Sequence, residues 1–191
     1  LTFVIGGMRS GKSRYAEYLA TQLASSRSKP VVYVAPGRPA DSSDPEWSAR
    51  IARHQARRPD GWRTVETRDV GAVLAGAPGV VLLDCLGTWL TGIVDDAGSW
   101  DDLDAAETLV SQRVTDLTRE LADSRGSRDI VVVSNEVGMS LVPLDPAGRF
   151  FVDELGRLNT LIADLADTVS WVVAGRVLDL TTAPRVPWPG S

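Results

Sequence analysis

Three groups of residues have types and spacings that suit phosphate chemistry. Gly6-Gly-Met-Arg-Ser-Gly11-Lys12-Ser13 fits the pattern G-x-x-x-x-G-K-S, with an apolar run before it and helix-forming residues after it. Glycines let the chain turn tightly enough for successive N–H groups to converge on phosphate oxygens, and the helix that follows adds its positive end. Lys12 is suited to neutralising β- and γ-phosphates, and the Ser13 hydroxyl to ligating Mg²⁺. A glycine turn with an unconnected lysine is the bland alternative, and the strand-then-helix context argues against it.

Asp84 closes the apolar run Val80-Val-Leu-Leu83. With a phosphate loop elsewhere in the chain, a strand-terminal carboxylate is placed to serve the Mg²⁺ shell; without one it reads as a helix cap. Asp84-Cys-Leu-Gly87 also matches the D-x-x-G element of GTPases, but the chain carries no N-K-x-D, which counts against a regulatory GTPase. The third group is Arg50, Arg53, His54, Arg57 and Arg58, in a segment read as a helix over residues 47–58. Arg50, Arg53, His54 and Arg57 share a helical face by three-and-four spacing. Guanidinium groups at this density repel one another unless an anion compensates, and a polyphosphate would do so. His54 there could donate to phosphate or attack phosphorus and carry a covalent nucleotidyl group. Neighbouring positive charge favours the neutral, attacking imidazole. A solvated basic helix face is the plain alternative. Glu136, at the end of a later apolar strand, is read either as a metal-positioning or hydroxyl-activating acid, or as a structural acid bonding nearby amides.

The elements that must position these groups follow from periodicity. Strands are expected at residues 1–5, 31–34, 79–84, 129–133 and 168–173, and a short strand or extended link at 62–67. Helices are expected over 12–24, 70–75, 103–122 and 149–166, with 86–93 a mixed apolar segment and 95–104 acidic and turn-rich. Leu103, Ala106, Val110, Val114, Leu117 and Leu121 lie on one helical face. Strands that read as continuous apolar runs between helices imply an α/β fold of P-loop NTPase type, a mostly parallel sheet with helices on both faces. Residues 1–180 are expected to form one nucleotide-binding transferase domain, and the proline-bearing tail 181–191 to be irregular.

Composition sets the limits. The 191 residues are 43% hydrophobic and 24% charged, ordinary values for a globular chain with a substantial core. A net charge of −5 argues against a general nucleic-acid binder. One cysteine, Cys85, excludes an intrachain disulfide, and one histidine besides excludes a Cys/His structural zinc site within a chain. With no leader-like opening and no apolar stretch of spanning length, a reduced cytoplasmic setting without a membrane span is expected.

The glycine loop, the block Ala49-Arg-Ile…His54…Arg58-Pro59…Trp62-Arg-Thr-Val-Glu66, Asn135-Glu-Val-Gly-Met-Ser-Leu-Val-Pro143 and Gly156-Arg-Leu-Asn159 together resemble the adenosylcobinamide kinase / adenosylcobinamide-phosphate guanylyltransferase family, in order, from about residue 3 to residue 176. The resemblance implies two reactions. Adenosylcobinamide is phosphorylated by a nucleoside triphosphate, ATP or GTP, and GMP then passes from GTP to that phosphate through a guanylylated histidine, which His54 matches. It implies nucleotide contacts from Gly6, Gly7, Met8, Arg9, Ser10, Gly11, Lys12 and Ser13, from Ala35, Pro36 and Gly37, from Gln55, Ala56, Arg57 and Arg58, and from Glu66 and Asp84. It implies catalytic roles for His54 and Lys12, Mg²⁺ at Ser13 and Asp84, and a homotrimer. The chain departs from the family pattern at Pro36, which lacks an N–H donor. It departs also at Asp84, a shorter acid than the glutamate of some members, and at Arg53, where a second histidine is frequent. The rival readings are a small-molecule kinase without nucleotidyl transfer and a nucleotide-binding switch protein.

Overall fold

A computed structural model describes residues 1–41 and 43–187; Ser42 and residues 188–191, the end of the expected irregular tail, lie outside the described residues. Among the described residues, seven strands form one sheet in the order β3-β2-β4-β5-β1-β6-β7. They are β1 (Thr2–Gly6), β2 (Val31–Ala35), β3 (Arg63–Glu66), β4 (Val80–Asp84), β5 (Asp129–Asn135), β6 (Thr168–Val173) and β7 (Arg176–Asp179). All neighbours pair in parallel except β6 and β7, which pair antiparallel.

The central strands are apolar on both faces because both faces are covered. On β4, Val80 and Leu82 face α1 (Lys12–Arg27), while Val81 and Leu83 face the layer of α3 (Val70–Gly76), α4 (Leu86–Ala97), α5 (Leu103–Ser124) and α6 (Pro146–Leu165). The same alternation splits Val131 and Val133 of β5 from Ile130 and Val132. Truncating one such residue, Leu82 for example, removes about 2–5 kcal/mol. The face foreseen on α5 is the buried one: Ala106, Val110, Leu117 and Leu121 are enclosed, and Val114 packs at the margin.

Four of the described helices begin on an aspartate. Asp44, Asp69, Asp102 and Asp145 accept from the backbone N–H groups of Trp47, Ala72, Ala105 and Gly148. Asp44 starts α2 (Pro45–Gln55), and Pro45 and Pro146 occupy first-turn positions. α1 is different. It begins at Gly11, whose φ of 101° leaves no N-cap side chain over the helix end; Lys12 N–H donates to Ser10 Oγ at 3.4 Å, and the N–H groups of Ser13 and Arg14 face no capping side chain among the described residues and are open to an anion.

Three expectations are corrected. The basic helix stops at Gln55, and residues 56–58 turn away from it, so Arg57 is not on the same helical face as Arg50 and His54. The mixed segment 86–93 is the body of α4, which runs on to Ala97 and so takes in the first part of the acidic stretch. Enclosure of Leu86, Trp89, Leu90, Ile93 and Val94 erased the amphipathic pattern that would have marked it as a helix. β7 was not foreseen; its four residues are exposed and follow a turn at Ala174-Gly175, both with positive φ.

Candidate active site

Parallel strands deliver their C-terminal ends to one rim, and the site forms there. Gly6 ends β1 and is paired with Asn135 at the end of β5 and with Val172 of β6. A Cβ on Gly6 would lie 2.4 Å from the Val172 carbonyl oxygen, so only glycine fits this start of the loop. The loop is tied down on its far side, where Gly175 N–H donates to the Ser10 carbonyl at 3.1 Å. The unforeseen β6–β7 turn thus holds the phosphate loop in place.

One cavity is lined by Lys12, Ser13, Ala35, Gly37, His54, Gln55, Arg58, Glu66 and Asp84, all expected from sequence. Residues Gly6 to Gly11 form the loop beside it, while Pro36, Ala56 and Arg57 do not line it. Arg53 is exposed and bonds back to the Ala49 carbonyl. Glu136 is engaged elsewhere: its carboxylate accepts from the N–H groups of Gly138 at 2.7 Å and Met139 at 3.4 Å. Of the two readings of Glu136, the structural one fits its geometry.

Lys12 is buried, with its ammonium donating to the Gly7 carbonyl at 3.2 Å. Burial pulls its pKa below the ordinary lysine value, and the Asp84 carboxylate opposes that fall. An arriving triphosphate would likewise favour the charged ammonium. Asp84 is held by Tyr33, whose hydroxyl donates to Oδ2 at 2.8 Å. The Arg58 guanidinium lies 3.6 Å from the Tyr33 ring centre and donates to Thr64 Oγ1 at 2.9 Å. Burial pushes the Tyr33 hydroxyl well above its ordinary pKa, so it stays a proton donor.

His54 faces the same cavity from α2, half-buried. Burial lowers its pKa, Asp84 and Glu17 oppose, and Arg57 and Arg50 reinforce the fall. The ring is therefore neutral at neutral pH, with a lone pair available. Ligand-capable atoms of Glu17, His54 and Asp84 lie within 4.8 Å of one another.

Several lining residues were not singled out from sequence. Tyr33 sat inside an apolar strand and Asn135 at the end of another. Trp47 packs where Gly37 has no side chain, its Cζ2 3.3 Å from where a Cβ would be. The Arg38 and Arg50 guanidinium groups lie 5.5 and 5.9 Å from the Trp47 ring centre. Cys85 also lines the cavity; its Sγ contacts Asn135 Oδ1 at 3.3 Å, and Asn159 Nδ2 donates to the Asn135 carbonyl at 2.9 Å. Arg50 was foreseen as basic, but only the position of Trp47 explains its direction.

An uncapped α1 behind a glycine loop, with a strand-terminal acid two strands away at the same rim, defines a P-loop nucleotide-binding protein. Comparison with known proteins narrows the class. The family model described as cobinamide kinase / cobinamide phosphate guanyltransferase matches residues 2–180, and the chain belongs to that family. It is 38% identical over 185 residues to the bifunctional adenosylcobalamin biosynthesis protein CobP of Pseudomonas aeruginosa, covering 95% of this chain and 97% of that one. It is 37% identical over 184 residues to the bifunctional adenosylcobalamin biosynthesis protein CobU of Escherichia coli, covering 92% and 96%. The corresponding protein CobU of Salmonella typhimurium is 35% identical over 182 residues, again covering 92% and 96%.

Proposed function

We propose that a single nucleotide site carries both reactions of this family, phosphorylation of cobinamide and guanylyl transfer to the resulting phosphate, and that His54 is the residue that holds the guanylyl group. The observation behind this reading is that the His54 ring shares a cavity with Lys12, Ser13 and Asp84.

In the kinase reaction the loop amides and Lys12 bind the β- and γ-phosphates and stabilise charge as the γ-phosphoryl group passes to the acceptor hydroxyl. In the guanylyl reaction the neutral imidazole of His54 attacks the α-phosphorus of GTP. An N–P bond forms, the bond from that phosphorus to the bridging oxygen breaks, and pyrophosphate leaves with the electron pair. An oxygen of cobinamide phosphate then attacks the same phosphorus. The N–P bond breaks, and the imidazole is restored as the GDP-linked product forms. Arg50 and Arg58 line the same cavity, and their guanidinium groups suit the α-phosphate.

The donor set at the cavity wall fits Mg²⁺: the Ser13 hydroxyl and the free oxygen of Asp84 are hard oxygen ligands, with Oδ2 of Asp84 already holding Tyr33. Mg²⁺ bound there would neutralise charge across the phosphates. Ala35, Gly37, Gln55 and Glu66 line the same cavity, and on this reading they would meet the nucleoside.

The trimer and the cytoplasmic setting implied by the resemblance belong to the same reading. Leu141 and Leu144, 94% and 97% exposed between β5 and α6, are the kind of surface that subunits cover. No described helix is long and apolar enough to cross a membrane.

Intact mass after incubation with GTP and Mg²⁺ is the test. The protein should gain one GMP, acid-labile and base-stable, and His54→Ala should gain none while still phosphorylating cobinamide. A label that persists in His54→Ala overturns the reading, and so does a wild-type protein that transfers GMP without ever carrying it.

A further inference from the structure

We propose that Glu17 is the positioning carboxylate of His54: it accepts the ring N–H on the side away from the reacting nitrogen and steadies the positive ring of the guanylylated state. This rests on the reading of His54 given above.

Glu17 is one turn beyond Ser13 on α1 and is among the buried residues of that helix. It is a carboxylate only 8% exposed, where burial of an unpaired charge is costly. Arg57 relieves part of that cost, its Nη2 lying 3.0 Å from Oε1. The second oxygen, Oε2, makes no hydrogen bond among the described residues, and Glu17 and His54 have ligand-capable atoms within 4.8 Å. A single bridging water or a small rotation of the ring closes that gap.

The chemistry requires such a partner. When the lone pair of one ring nitrogen forms the N–P bond, the ring takes up positive charge, and the proton on the other nitrogen becomes more acidic. A carboxylate accepting from that N–H fixes which nitrogen is free to attack and stabilises the charge as it develops. Two carboxylates are near enough. Asp84 already accepts from Tyr33 and faces the phosphates, where its negative charge has another use. Glu17 is anchored by Arg57, which holds the carboxylate in place while leaving an oxygen for the imidazole. The arrangement gives Arg57 a purpose as well, since it leaves α2 and does not line the cavity.

The chain has one histidine, so its imidazole nitrogens give an unambiguous two-nitrogen signal in long-range ¹H–¹⁵N spectra. In the wild-type protein one nitrogen should carry the proton and the other should read as a free lone pair. Glu17→Gln keeps the shape and the Arg57 contact but is a poorer acceptor, so the two nitrogens should move towards averaged shifts. At saturating GTP the single-turnover rate of guanylylation should fall by about 10²–10⁴-fold, the range set by losing an orienting carboxylate beside a catalytic histidine. The dissociation constant for GTP and the kinase rate should stay within about threefold. Glu17→Asp should restore part of the loss.

Unchanged imidazole shifts together with an unchanged guanylylation rate in Glu17→Gln overturn the proposal. Equal loss of kinase and guanylylation also overturns it, because that pattern marks a merely structural carboxylate. If His54→Ala still accepts GMP, the function proposed above fails first, and the two failures are distinct.

Discussion

Replacing Gly6 by alanine tests whether the end of β1 is seated as tightly as its geometry requires. The added Cβ would lie 2.4 Å from the carbonyl oxygen of Val172 and 2.7 Å from Ser10 Oγ. The first distance is roughly 1 Å short of an ordinary contact. The serine hydroxyl can rotate away, but the carbonyl cannot: it belongs to β6, which is held between β1 and β7. Relief must come from moving the end of β1 off β6. Overpacking costs about 1–3 kcal/mol, and a backbone obstacle puts Gly6→Ala near the upper end. For a chain of this size that corresponds to a melting temperature lower by about 6–12 °C. A shift of that kind at the first residue of the phosphate loop should also weaken GTP binding at least tenfold. Gly7→Ala is the control. A Cβ there meets nothing within 4 Å, and Gly7 lies outside the left-handed region, so its melting temperature should stay within about 2 °C of wild type. Thermal unfolding followed by circular dichroism and GTP titration read both quantities. The reasoning is refuted if Gly6→Ala melts and binds like the wild type, or if Gly7→Ala loses as much.

Further outcomes follow from the same site. Burial lowers the His54 pKa, so guanylylation should hold its plateau as pH falls through about 6.5, the ordinary histidine value, and decline only below it. On acidification the unfolded chain takes up this proton first, so the group's contribution to stability is lost from about pH 6.5 down to the folded pKa. Initial rates and melts across pH check both signs. Tyr33→Phe removes the hydroxyl that donates to Asp84 and should lower stability by about 1 kcal/mol in chemical denaturation, with a several-fold slower kinase reaction. Cys85 is enclosed and burial raises its thiol pKa, so iodoacetamide at pH 8 should label the native protein at least tenfold more slowly than the urea-unfolded chain.

Much of the cradle was legible because its parts are contiguous: a strand, a glycine loop with Lys12 and Ser13, and a helix occupy the first 27 residues. Asp84 was legible for a similar reason, since the apolar run before it fixes its place at a strand end. Residues whose role depends on a distant neighbour were harder to see. Glu17 sits in an ordinary stretch of α1, and nothing local says that Arg57, forty positions later, meets it. Tyr33 counts as one more apolar strand residue until the neighbouring strand β4 places Asp84 two residues beyond its partner Leu82. The four residues of β7 carry no burial pattern, being exposed throughout, so only their pairing with β6 defines them. The end of α2 was overrun because arginines at 57 and 58 suit a helix as well as a turn.

The place of β1 in the sheet has a consequence for the chain's synthesis. Thr2 lies opposite Val131 on one side and Thr168 on the other. At about 5–20 residues per second, β1 is made roughly 6–25 s before either partner exists. Until then it is an apolar segment with both edges open, a suitable client for a chaperone. Only once β5 and β6 have been made can the strand take its place between them, and the nucleotide cradle depends on that pairing. Ability to hold a triphosphate thus reports that β5 and β6 have been made and have paired with β1, and a nascent chain cut short before β6 should remain unable to consume nucleotide.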